Sequence, residues 1–389
     1  MKIKNKVSAK LLGSIFLMSS VLFLTNCRKE NDFLPTEESN STENISLNDS
    51  LGKLAVSASE VSSTAYNISR ALPSGYVKNG TRDYTSYVQA AINKYSTVVF
   101  PAFPILVNDK GITIPSNRKI YFLDGAQIWL KGTSKSSYQI FKMQKVSNVT
   151  IIDAVIKGDR AKHIGTTGEY GIGIGIYSSS NITLTNPKVT DCWGDGIYIG
   201  RYGSSSTTNT NIKITTAYLK NNRRDGISII SADGLTLDRP YAGYTNGTKP
   251  QSGINIEPNS SSCQLKNINI INPVTENNVG NGIQMWLYNM YNGSTKSVSI
   301  NITNHKDNNS YYAYKVSNLK RTGYLSGNIT SKNPSYSKSA SLPLWMKQTD
   351  PKLKTYITSP SVTTTSGTLS NTSCIKKLNN GVKSDSQKP

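Results

Sequence analysis

The chain has 389 residues, 36% of them hydrophobic, with 44 Lys and Arg against 23 Asp and Glu and a net charge of +21. Its four cysteines, Cys27, Cys192, Cys263 and Cys374, are too few for a disulfide scaffold and lack metal-finger spacing. Residues 71–389 keep 36 of the basic and 16 of the acidic residues, so the excess charge belongs to the folded part and suggests an anionic partner.

In chain order, Lys2, Lys4, Lys6 and Lys10 precede an apolar run from Leu11 to Leu24. The run is too short and too early for a spanning helix and reads as an export signal, which disfavours nucleic acid as the partner. It ends in Leu24-Thr25-Asn26-Cys27, which resembles a bacterial lipobox. That resemblance implies a signal peptide over 1–27, a lipid on Cys27 and an outer membrane lipoprotein. Arg28-Lys29-Glu30-Asn31-Asp32 is similar to the charged signals that carry some lipoproteins to the cell surface. Residues 28–70, rich in Ser, Asn and acids, read as a flexible tether. Residues 71–350 are the expected folded domain, and 351–389 read as a Ser/Thr/Lys-rich C-terminal segment.

Tyr84–Tyr95 places Tyr87, Val88, Ala91 and Ile92 at helical spacing, and the strand-like runs that follow begin at Thr97, Gly111 and Lys119. A short helix here would cover the end of a sheet. Five Gly-Ile runs then begin at Gly173, Gly196, Gly226, Gly253 and Gly282, at spacings of 23, 30, 27 and 29 residues. A second ladder, out of phase, starts at Asn148, Asn181, Asn211, Gly234, Asn267 and Ser297. A loose period of this length with alternating aliphatics marks a solenoid of strands, with no room for a helix in each repeat. The expected fold is all-β, a single-stranded parallel β-helix with an N-terminal capping helix.

The ladder also serves as a ruler. Aligned on the residue before Gly-Ile, it reads Ile172, Asp195, Asp225, Ser252, Asn281; three residues later it reads Gly175, Tyr198, Ser228, Asn255, Gln284. Neighbouring strands are about 4.8 Å apart, so Asp195 and Asp225 should sit one coil apart, where paired carboxylates raise one pKa and suit acid–base work or a bound calcium ion. Glu257 shares a strand face with Asn255, expected to be exposed. His163, set among charges, suits a general acid or base. Arg160, Arg201, Arg223 and Arg224 suit two-pronged binding of carboxylate or sulfate. Tyr198 could supply a proton, and Trp286 could stack on a sugar ring.

The block from Asn79-Gly80-Thr81-Arg82-Asp83-Tyr84-Thr85 through Val98-Val99-Phe100-Pro101 and Ile114-Pro115-Ser116-Asn117 resembles the start of the pectate-lyase-like superfamily, and the resemblance covers most of 75–330. That group holds polysaccharide lyases, polygalacturonase-type hydrolases and phage tailspikes. The resemblance implies a right-handed β-helix and a polysaccharide substrate. Trp193-Gly194-Asp195-Gly196-Ile197 is similar to the Asp-Asp coil of the polygalacturonases but keeps only its second acid, Arg224-Asp225-Gly226 stands where Gly-His-Gly is expected, and no Arg-Ile-Lys is present. The basic domain favours cleavage of an acidic glycan by elimination. Hydrolysis and non-catalytic glycan binding or adhesion are the alternatives.

Overall fold

The structure, a computed structural model, describes residues 61, 63–203, 207–291, 294–317, 325–339, 343–346, 352–364 and 367–369. The leader, Cys27, the tether up to residue 60 and Cys374 lie outside the described residues. The described chain winds as a right-handed parallel β-helix whose successive coils each contribute one strand to each of three sheets. Among the described residues these sheets hold 11, 9 and 11 strands, and every pairing is parallel except the last, Ser361–Thr364 with Gly367–Leu369.

The middle, nine-stranded sheet carries the Gly-Ile ladder. Ile174, Ile197, Ile227, Ile254 and Ile283 stack in register, as do Ile176, Ile199, Ile229, Ile256 and Met285. All ten are fully buried, and burying an isoleucine contributes roughly 2 kcal/mol. The glycine before each isoleucine answers to crowding rather than to a left-handed turn. A Cβ on Gly226 would lie 2.5 Å from the Gly253 carbonyl oxygen and 2.8 Å from the Ala242 side chain of the third sheet. The ladder ends at the next coil, where Ala313 takes the glycine's place before Tyr314.

The second ladder lies in an 11-stranded sheet, and its asparagines have left-handed backbone, with φ of 59° at Asn148, 54° at Asn181 and 52° at Asn211. Their amides bond in a file along the helix axis, Asn181 Nδ2 donating to Asn148 Oδ1 at 3.1 Å and Asn211 Nδ2 to Asn181 Oδ1 at 2.7 Å. The rung expected at Ser297 sits differently. Leu265 pairs with Val298 but Ile268 pairs with Ile300, so a bulge sets Ser299 rather than Ser297 opposite the asparagine position.

The capping helix is Thr85–Lys94, and it buries Val88, Ala91 and Ile92. Tyr87 stays exposed, and Tyr84 fills the core in its stead. The fold begins before residue 71 and continues past 350. Tyr66–Asn67 pairs with Val98 and Val99, and Tyr66 stacks on Tyr95 at 3.7 Å. Leu353, Ile357 and Val362 are buried in strands of the last coils. Alternation too short to stand out in a polar stretch is enough once a preceding coil offers a template.

The third sheet's inward column runs Val189, Leu219, Ala242, Thr275, Asp307, Tyr336, Val362 and turns polar in its middle. Thr275 Oγ1 donates to Asp307 Oδ2 at 2.6 Å and meets His305 Nε2 at 2.7 Å, and His305 Nδ1 faces the Tyr336 hydroxyl at 3.3 Å. Burial pushes His305 down to about 3, so it is neutral, and pushes Asp307 up to about 6. A carboxyl whose folded pKa is raised contributes stability below its unfolded pKa and loses it as pH rises through the folded value. Asp307→Asn is therefore expected to stabilise the protein at pH 7, by on the order of 2 kcal/mol, with the gain vanishing near pH 4. Thermal melts of both proteins at the two pH values check this, and an equal shift at both would contradict it.

Candidate functional site

Across the middle sheet the coils open into a cleft of about 840 Å³. Along its floor runs the outward row Tyr198, Ser228, Asn255, Gln284, Lys315, held in register by four parallel pairings, and Tyr198, Gln284 and Lys315 of that row line the cleft. This row is not the solvent-facing surface expected of it, because Ser228 and Asn255 are fully buried and Gln284 is 6% exposed. The side chains of Arg224, Asp225 and Glu257 pack against Ser228 and Asn255 and bury them. Glu169 and Tyr170 form the wall at one end. Lys249 to Gln251, Tyr311 and Tyr312 rise at the other.

Asp195 and Asp225 lie one coil apart as the ladder predicts, since the Gly196 amide donates to the Asp225 carbonyl at 3.0 Å. Both are fully buried and cannot touch a ligand. Arg224 covers them. Its Nη1 lies 2.9 Å from Asp195 Oδ2 and 3.3 Å from Asp225 Oδ2. Two further carboxyls meet the same guanidinium from the cleft side, Glu169 Oε2 at 3.5 Å from Nε and Glu257 Oε2 at 3.5 Å from Nη2. Their side chains are 37% and 30% exposed. Burial raises the Asp195 pKa, and Arg224 only partly offsets it. Burial and then the Asp195 charge raise that of Asp225. The pair therefore holds a proton above the ordinary carboxylate range. Burial opposes the Arg224 charge, but Asp195, Asp225 and Glu257 together outweigh it and raise its pKa.

Asn255 ties this cluster to the floor. Its Nδ2 donates to Asp225 Oδ2 at 3.1 Å and to Glu257 Oε2 at 3.0 Å, and its Oδ1 accepts from Gln284 Nε2 at 3.2 Å. Asn281 Nδ2 continues the chain to Gln284 Oε1 at 2.6 Å. Tyr198 and Trp286 line the cleft. Burial, then Asp195, raises the Tyr198 pKa, which keeps that phenol protonated.

Four residues expected at the site lie elsewhere. His163 Nδ1 bonds Asp159 Oδ2 at 2.8 Å, and its ring stacks on Trp193 at 3.9 Å with the side chain 1% exposed. It is a packed strut and not a general base on the cleft. Arg223 covers Trp193 with its guanidinium 4.0 Å from the ring and donates to the carbonyls of Gly168, at 2.6 Å, and Thr166, at 3.0 Å. Arg160 bonds the backbone and side-chain oxygens of Asn221 and Asn246. Arg201 bonds Ser260 and Ser262. A guanidinium in a turn satisfies stacked carbonyls wherever they converge, and charge in the sequence does not tell this from ligand binding. His163 and Arg223 nonetheless bear on the site, because they fasten the loop that presents Glu169 and Tyr170.

The cleft residues that the ladder did not single out include Glu169, Tyr170, Lys249, Tyr311, Tyr312 and Lys315. Lys315 stands in the same row as Asn255 and Gln284, hidden because its coil lacks Gly-Ile. A calcium ion has no evident seat at the acid row. The positive charge there is Arg224's, and among the described residues no group of three His, Cys, Asp or Glu could hold a metal. Among the described residues no helix is long and apolar enough to cross a membrane.

Fold and cleft together define the class, a right-handed parallel β-helix with a polar cleft over one sheet. No protein-family model matches the sequence. The chain is similar to the uncharacterized protein YclG of Bacillus subtilis, 28% identical over 213 residues that make up 47% of this chain and 36% of YclG. It is also similar to the SPbeta prophage-derived uncharacterized protein YorA of the same organism, 30% identical over 164 residues, 38% of this chain and 28% of YorA. It thus spans about a third of the length of the curated relatives it matches. Among solved structures, the A-module of the Azotobacter vinelandii mannuronan C-5 epimerase AlgE4 aligns at TM-score 0.55 and 15% identity over 78% of this chain and 89% of that one. PfbA, a surface adhesin of Streptococcus pneumoniae, aligns at 0.56 and 14% over 77% and 88%. At these identities the likeness is one of fold.

Proposed function

We propose that the protein is a polysaccharide-cleaving enzyme that hydrolyses glycosidic bonds with the carboxyl pair Glu169 and Glu257. The observation that carries this reading is the placement of two half-exposed carboxyls on either side of one fixed guanidinium, at the wall and floor of a cleft with tyrosines and a tryptophan in its lining. Glycoside hydrolysis needs one carboxyl to protonate the leaving oxygen and another to activate water or attack the anomeric carbon. Asn255 and Arg224 orient one oxygen of Glu257, which suits it to the second role. Glu169, at the rim beside Tyr170, takes the first. Asp195 and Asp225 fix Arg224 from below without touching substrate.

Elimination is less well supported. It requires a cation free to neutralise a uronate carboxylate with a base beside it, but the cation beside Glu169 and Glu257 is Arg224, which already faces four carboxyls, the cleft's lysines stand at the other end, and His163 lies off the cleft. The epimerase shows a polysaccharide-directed activity on this fold, and the adhesin shows a surface role on it. Incubation with uronic, sulfated and neutral glycans separates the readings. Reducing ends without the ultraviolet absorbance of unsaturated ends support hydrolysis. Unsaturated ends would reassign the protein as a lyase, and binding without cleavage would make it a glycan-binding protein. The same proposal includes attachment to the outer membrane by a lipid on Cys27, with palmitate labelling of wild type but not of Cys27→Ser as its test.

A further inference from the structure

We infer that the end of the cleft away from Arg224 is a second, anion-binding subsite, in which Lys249 and Lys315 receive a carboxylate or sulfate of the same polysaccharide chain. The inference rests on the cleft's being a glycan site and adds to it the place where the polymer's charge is read. Arg224 Nη1 lies 3.4 Å from Ser228 Oγ, the second position of the floor row. Lys315 stands three pairings further on, through Asn255 and Gln284. Three strand spacings of about 4.8 Å place it roughly 14 Å away, a distance spanned by a few sugar residues.

The two ends differ in sign. Around Arg224, four carboxyls meet one guanidinium, so no cation is left there to pair with an acidic sugar's charge. At the far end, neither Lys249 nor Lys315 has a carboxylate partner among the described residues. Lys315 is half-buried, and burial, then the nearby Lys249 charge, lowers its pKa. Two cations facing one pocket disfavour each other until an anion arrives. The surroundings fit a sugar acid. Lys315 Nζ lies 5.4 Å from the ring centres of both Tyr312 and Trp345, and Tyr311 meets Tyr312 edge-on at 4.8 Å. Tyr312 and Trp345 hold the ammonium in place, and Tyr311 and Tyr312, which line the cleft, offer apolar faces to a pyranose. Between the ends, the amides of Asn281 and Gln284 line the cleft and bond to each other, with Asn255 buried beneath Gln284, leaving a neutral floor for the intervening sugars.

The consequence is a length dependence. Chains long enough to span both ends should be preferred over short ones, and that preference should depend on Lys315 and salt. The test measures kcat and KM on size-defined oligogalacturonates and oligomannuronates from dimer to octamer, and on chondroitin sulfate, for wild type, Lys249→Gln, Lys315→Gln and Lys315→Arg. Each Gln variant is expected to raise KM about tenfold on the long chains, the loss of one charge-assisted contact, with kcat and the dimer unaffected and most of the loss absent in Lys315→Arg. A loss confined to the uronates identifies a carboxylate, and one confined to chondroitin sulfate a sulfate. Cleavage of long acidic chains with unchanged KM in both Gln variants would overturn the subsite and leave the glycosidase reading standing, as would cleavage of neutral glycans alone. Absence of any cleavage or binding by the wild type would overturn both.

Discussion

Arg224→Gln is expected to abolish turnover and to lower stability by roughly 3–5 kcal/mol, the loss that follows when a buried ion pair keeps its charge and loses its partner. Asp195 and Asp225 are both fully buried, and Arg224 is the cation that meets the two of them. Without it, their folded pKa values rise further above the unfolded ones. Stability from such groups is intact below the unfolded pKa and is lost as pH rises through the folded value. The deficit of the variant should therefore be small near pH 4 and grow towards pH 8. Adding Asp195→Asn and Asp225→Asn to Arg224→Gln should recover much of the stability, because no charge then remains to bury, yet recover no activity. Thermal melts across pH, with circular dichroism to confirm the coils, read this out. A deficit equal at pH 4 and pH 8, or a triple variant no more stable than the single one, would show that Arg224 serves the fold by packing rather than by charge.

The solenoid was legible because its signal is redundant. Five Gly-Ile rungs and an asparagine file each repeat the same steric demand, and the pairings Ile174 to Ile197 to Ile227 to Ile254 to Ile283 follow the alignment read from the sequence. The position of Asp195 above Asp225 came from the same ruler. What the ruler could not measure was depth. Period-2 alternation distinguishes inward from outward, but an outward residue of a β-helix sheet is exposed only if no turn rises over it. Asn255 and Ser228 are buried because the side chains of Arg224, Asp225 and Glu257 bond across them. Loop residues had no ruler at all. Glu169 reaches the cleft because His163, Trp193 and Arg223 stack in one pile and Arg223 grips the carbonyls of Thr166 and Gly168, contacts between coils with no local trace. His163 and Arg223 were visible as unusual residues, but their role is to hold the loop. Lys315 lay in a readable row whose marker glycine had become Ala313.

Glu257→Gln and Glu169→Gln are each expected to cut kcat by about 10²–10⁴ while leaving folding intact, the range expected of positioned acid–base groups. Both side chains are partly exposed and meet Arg224 only at 3.5 Å, so neutralising either removes little from the fold. Their losses should differ in kind. If Glu169 donates the proton, substrates with a good leaving group, such as nitrophenyl glycosides, should escape much of the Glu169→Gln defect and none of the Glu257→Gln defect. His163→Gln provides the contrast. It breaks the stack on Trp193 and loosens the loop that bears Glu169, so it should lower stability and weaken kcat without removing the acidic limb of the pH profile. A proton-transfer role for His163 would show itself differently, as loss of a limb of the pH profile with little change in melting. Should both Glu variants keep wild-type turnover while Arg224→Gln loses it, the carboxyl pair would be a fence around the guanidinium, and the reacting groups would have to be sought among Tyr170, Tyr198 and the lysines of the far end.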